Sequence, residues 1–114
     1  MREKLIRDRI PELFDLPTTS VRVAADDELD ALLAAKLVEE ANEYRESREL
    51  EELADVLEVL AAIGETRGID PATLERVRTQ KRSERGGFEG KLVWAIPPDA
   101  DEPWAATNDE EEGE

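Results

Sequence analysis

The stretch Glu39-Glu40-Ala41-Asn42-Glu43-Tyr44-Arg45-Glu46-Ser47-Arg48-Glu49-Leu50-Glu51-Glu52-Leu53-Ala54-Asp55 decides the fold. Glu40 and Glu43 are three residues apart, as are Glu52 and Asp55, so on helices each pair sits on one face about a turn apart. If the chain reverses between residues 47 and 48, Glu43 falls opposite Glu52 and Glu40 opposite Asp55. A short turn around Ser47 therefore predicts an antiparallel helical hairpin that gathers four carboxylates at one level.

Outward from the turn, the first long helix starts at Asp26 or Asp27, either of which can cap it, and ends near Glu46 to Arg48. Its stripe of Leu29, Leu32, Leu33, Lys36, Leu37, Glu40, Ala41 and Tyr44 recurs at spacings of three and four. The second runs from about Glu49 to Arg67, where Gly68 can close it in the left-handed conformation. From Leu53 to Ile63 this helix is apolar around most of its circumference. One neighbour cannot cover such a surface, so a central position and a subunit interface are expected. Asp70 and Pro71 open a third helix through Arg85, which Gly86 and Gly87 stop. Near the amino terminus, Pro11 suits the first turn of a short helix.

The expected fold is all-α: the hairpin plus the third helix, completing a bundle on oligomerisation. Short extended segments near 21–24 and 90–96 could pair with each other. Residues 1–98 form the expected domain. Residues 99–114 carry eight acidic and no basic side chains and read as a disordered, solvated tail in which Trp104 is a loosely held aromatic.

Composition narrows the chemistry. The 114 residues contain no Cys and no His, which removes disulfides, thiolate or imidazole metal ligands, thiol nucleophiles and imidazole bases. The net charge of -15 repels nucleic acid and anionic lipid. No segment approaches the length of a membrane span or a signal-peptide core, so a cytoplasmic protein is expected. Only 4 of the 15 basic residues are Lys; with abundant acids and few aromatics, this composition looks adapted to a salt-rich, halophilic cytosol, the alternative being an ordinary acidic protein.

Glu40 continues the apolar stripe and Asp55 lies inside an apolar run, so both should face the partner helix, where unpaired charge is costly. Four converging carboxylates repel one another unless a cation lies between them. All-oxygen donors favour a hard ion, Mg²⁺ or Mn²⁺, and Mg²⁺ commonly shares its coordination with substrate phosphates. The competing reading is a solvated acidic helix face with pairs such as Lys36 to Glu40. Basic residues cluster at Arg2, Lys4, Arg7 and Arg9 and again from Arg76 to Lys91, where they could grip phosphate or simply bridge to acidic helices.

The segments Lys4-Leu5-Ile6-Arg7-Asp8-Arg9-Ile10-Pro11-Glu12, Glu39-Glu40-x-x-Glu43 with Glu52-x-x-Asp55, and Lys81-Arg82-Ser83-Glu84-Arg85-Gly86-Gly87-Phe88 resemble the MazG-like nucleoside triphosphate pyrophosphohydrolases. This all-α superfamily also includes phosphoribosyl-ATP pyrophosphohydrolases. The resemblance, from residue 4 to about 94, implies hydrolysis of a nucleoside triphosphate between the α and β phosphates, serving to clean the nucleotide pool. It implies Mg²⁺ on Glu40, Glu43, Glu52 and Asp55, with Glu39 orienting or deprotonating water. Arg7, Asp8, Lys81 and Arg85 become candidates for substrate contact, and the assembly a homodimer or homotetramer. Two alternatives stand beside it: phosphoribosyl-ATP hydrolysis, and a non-catalytic helical interaction module of the same fold. The eight residues between Glu43 and Glu52 leave only a tight turn where many members carry more chain.

Overall fold

The computed structural model describes residues 2–104. It is all-α: α1 (Ile10–Leu13), α2 (Asp26–Ser47), α3 (Leu50–Arg67) and α4 (Pro71–Arg85), with one 3₁₀ turn at Thr18–Ser20. Pro11 lies in the first turn of α1, where its missing N–H costs no helical bond.

The start of α2 differs from the expectation. Ala25 holds the N-cap position, while Asp26 and Asp27 are the first helical residues. The cap is supplied from inside the helix, because the Ala25 N–H donates to Glu28 Oε2 at 2.8 Å. Asp26 and Asp27 instead place negative charge at the positive end of the helix dipole. At the far end Arg48 adopts the left-handed conformation, φ 60°, and its N–H donates to the Tyr44 carbonyl at 2.8 Å. Ser47 Oγ accepts from the Glu49 N–H at 3.1 Å, and α3 begins one residue later. The reversal thus occupies two residues, and α2 and α3 pack antiparallel.

Gly68, φ 67°, ends α3 where a side chain would be strained, and the Ile69 N–H donates to the Gly64 carbonyl at 2.8 Å. Asp70 then caps α4, its Oδ1 accepting from the Ala72 N–H at 3.3 Å. Local chemistry sets each of these boundaries.

The α2–α3 seam buries Leu33 and Val59 and, unusually for a charged residue, Glu40. Leu29, Leu37, Val56, Ala62 and Ile63 flank it half-buried. Residues 2–9 run in irregular conformation past the seam, where Leu5 and Ile6 share a cleft with Leu33 and Val59. Arg22 ties this segment to α2, donating to Glu3 Oε1 at 3.0 Å and to Glu28 Oε2 at 2.7 Å.

No strand forms among the described residues, so the stretches at 21–24 and 90–96 do not pair. Lys91 is left-handed, φ 58°, and donates its N–H to the Phe88 carbonyl at 3.1 Å, turning the chain where a strand would have to continue. Val23, Leu92 and Val93 remain exposed. Trp104 rests near Trp94, with ring centroids 5.6 Å apart and planes inclined by 57°. Most of the tail, residues 105–114, lies outside the described residues.

No helix among the described residues is long and apolar enough to cross a membrane. The radius of gyration is 17.8 Å, against about 13 Å for a compact chain of this length. The chain is extended along one axis, and apart from Leu33 its leucines are only partly covered.

Candidate metal centre

The two-residue reversal brings Glu40 of α2 beside Glu52 and Asp55 of α3. One carboxylate oxygen from each lies within 4.8 Å of the others. Glu40 is only 9% exposed, and Glu52 and Asp55 are half-buried. An octahedral ion with bonds of about 2.1 Å sets adjacent ligands about 3.0 Å and opposite ligands about 4.2 Å apart, so the three side chains would have to close further around one ion. The donor chemistry fits a hard divalent cation.

Two of the three acids have basic partners. Arg7 Nη2 lies 2.7 Å from Asp55 Oδ1, and Lys36 Nζ lies 3.5 Å from Glu40 Oε1. Around Glu52, desolvation and the charges of Glu43, Asp55 and Glu40 push its carboxyl above the ordinary value of 4.5. This is the accumulated negative charge that a cation would relieve.

Glu43 lies close enough to act on Glu52 electrostatically, yet it stands outside the group of three. It lines a smaller recess of about 360 Å³ with Lys4, Lys36 and Glu39. Lys4 Nζ lies 2.8 Å from Glu39 Oε2, and Lys36 Nζ lies 3.3 Å from the same oxygen. Partial burial raises the Glu39 carboxyl, but the hydrogen bonds from Lys4 and Lys36 outweigh it and hold the group below its ordinary value. Glu39 is therefore ionised at neutral pH and oriented by two ammonium groups.

A larger cleft of about 570 Å³ runs between residues 5–9 and the hairpin. Arg7, Asp8 and Arg9 line one side, and Lys36, Glu40 and Asp55 the other. Two of the four basic or acidic residues singled out for substrate contact, Arg7 and Asp8, thus border the acidic group. Lys81 and Arg85 sit on α4 and line neither cleft.

Lys36 is the residue of this site that sequence reasoning treated only as a surface partner. Its side chain is 14% exposed, touches Glu39 and Glu40, and borders both clefts. The available signal was its place in the apolar stripe between Leu33 and Leu37, where a lysine must find acids or be expelled. Neither family models, nor curated proteins, nor solved structures give a match to this chain.

Proposed function

We propose that the protein is a Mg²⁺-dependent nucleoside triphosphate pyrophosphohydrolase. Water attacks the α-phosphorus, the bond from that atom to the oxygen bridging to the β-phosphorus breaks, and nucleoside monophosphate and pyrophosphate leave. The observation that carries this reading is the convergence of Glu40, Glu52 and Asp55 from two antiparallel helices, with Glu40 and Asp55 lining a cleft that Arg7 and Arg9 also line. The likeness of the motifs at residues 4–12, 39–55 and 81–88 to MazG-like enzymes supports it.

In this reading Glu40, Glu52 and Asp55 would hold the cation, while Glu43 adds its negative charge beside Glu52. A cation held there would neutralise phosphate charge and make the α-phosphorus more electrophilic. Arg7 binds phosphate oxygens with its planar guanidinium, a role that requires it to leave Asp55 when the cation arrives. Glu39 positions water through its charge. Held low by Lys4 and Lys36, it is a weak proton acceptor in the free protein, and it becomes a stronger one when those lysines turn to phosphate. Asp8 lines the same cleft.

The test is incubation of the purified protein with Mg²⁺ and a panel of nucleotides, separating monophosphate, pyrophosphate and orthophosphate. Pyrophosphate release that Glu40→Gln and Asp55→Asn abolish is the expected result. Cleavage of phosphoribosyl-ATP alone moves the assignment to that reaction. Absence of turnover on every nucleotide by folded protein overturns the enzymatic reading and leaves a helical interaction module.

A further inference from the structure

Helix α3 carries two apolar faces. Val56, Val59, Ala62 and Ile63 turn toward α2, while Leu50, Leu53, Leu57 and Leu60 recur at i, i+3, i+7 and i+10 on the opposite side. All four of these leucines are exposed, Leu57 at 67%. A second uncovered apolar element leaves α4 at Gly86: Phe88 is 97% exposed, Leu92 95% and Val93 94%. Only Glu89 and Lys91 carry charge between Gly86 and Pro98.

The area at stake is large. The chain exposes 10063 Å², whereas a compact monomer of 12.8 kDa exposes about 6,300 Å². The eleven residues outside the described range contribute at most about 1,700 Å² even on the scale of an unfolded chain. About 2,000 Å² of excess surface therefore belongs to residues 2–104, more than the roughly 800 Å² that each partner buries in a standard stable interface. A net charge of -15 disfavours pairing through polar faces, and the outer stripe of α3 and the 88–96 arm are two runs of exposed apolar side chains with little charge among them.

We infer that the 88–96 arm of one chain docks on the outer leucine face of α3 in a second copy of the same chain, reciprocally. Each chain supplies one arm and one leucine face, so a two-fold dimer satisfies both with none left over. Arg82 pairs with Glu89 and holds the root of the arm to α4, leaving Leu92 and Val93 to reach outward. The inference sharpens the expectation of a homo-oligomer and is independent of whether the acidic centre turns over a nucleotide.

The absence of cysteine from the sequence makes a direct test available. Leu57→Cys and Leu92→Cys are made separately, mixed in high salt to screen repulsion, and oxidised with copper phenanthroline. The expected product is a covalent pair containing one chain of each kind, formed in several-fold higher yield than either variant gives alone. Cross-linking of Leu57→Cys with itself at equal yield means that α3 packs on α3 and overturns the arm exchange. A chain carrying both substitutions that closes at monomer mass places the arm on its own helix and overturns it as well. No cross-linking in the mixture has the same force. Light scattering gives a second readout: wild type at twice the chain mass, and Leu92→Asp with Val93→Asp at the monomer mass with unchanged helical circular dichroism. A dimer surviving those two substitutions, or a monomeric wild type, refutes the inference.

Discussion

Arg7 Nη2 lies 2.7 Å from Asp55 Oδ1, joining the irregular amino-terminal segment to α3 across 48 positions of sequence. Asp55 is also one of the three candidate ligands, so a guanidinium and a cation would compete for its carboxylate. Both side chains are partly solvated, and such pairs contribute about 0.2–1 kcal/mol. Arg7→Ala is expected to tighten Mn²⁺ or Mg²⁺ binding by up to about fivefold at low salt, and less at high salt, as measured by calorimetric titration. Unchanged or weaker cation binding would show that Arg7 does not compete.

The raised carboxyl of Glu52 makes a signed prediction. A group whose folded pKa exceeds its unfolded value binds more protons when folded, so its stabilising contribution is greatest below the ordinary value of 4.5. That contribution is lost as pH rises through the folded value. Above that window the metal-free protein carries the repulsion in full. Glu52→Gln is expected to raise the melting temperature in EDTA at pH 7 and to lose most of the further rise that Mg²⁺ gives wild type. A lower melting temperature in EDTA contradicts the electrostatic account.

Lys36 separates Glu39 from Glu40 in a largely covered place. Lys36→Met keeps the stem but leaves the two acids to repel. The expected loss is about 2 kcal/mol, between the values for exposed and fully buried pairs, measured by urea denaturation in EDTA. Because a bound cation would supply the missing positive charge near Glu40, Mg²⁺ should recover a large part of that loss.

Arg22 clamps Glu3 and Glu28 together. Its hydrogen bonds, together with that from the Ala25 N–H, pull the Glu28 carboxyl down to about 2, and Arg22 lowers Glu3 as well. A depressed carboxyl contributes stability above the unfolded pKa, and the contribution is lost as pH falls through the folded value. The stability gap between wild type and Arg22→Ala is therefore expected to be constant near pH 7, to narrow below about 4.5, and to close near pH 2. A gap that persists at pH 2 would assign the effect of Arg22 to packing.

The helices were legible because their boundaries are local. Gly68 and Asp70-Pro71 carry their own stop and start chemistry, and the alternation of Leu29, Leu33 and Leu37 identifies the buried face of α2. The placement of Glu43 was less accessible. Counting residues from the turn gives height along the helix but not azimuth, and Glu43 lies about 60° around α2 from Glu40. It consequently faces the smaller recess with Glu39. Strand pairing failed for a different reason: alternation of Leu92, Trp94 and Ile96 describes a surface, and says nothing about whether any backbone is available to bond with it. Lys36 was hidden because an i, i+4 lysine–glutamate pair has the same spacing whether it is bathed in water or enclosed.

The two-residue bend at Arg48 and Glu49 sets the phase between the helices. One extra residue taken up within α3 between Leu50 and Glu52, rather than in the bend itself, would turn Glu52 and Asp55 by about 100° away from Glu40. Helical phase is thus a chemical variable: a single-codon insertion inside the helix, with every acid retained, would disperse the donor set, whereas the same codon in the bend need not.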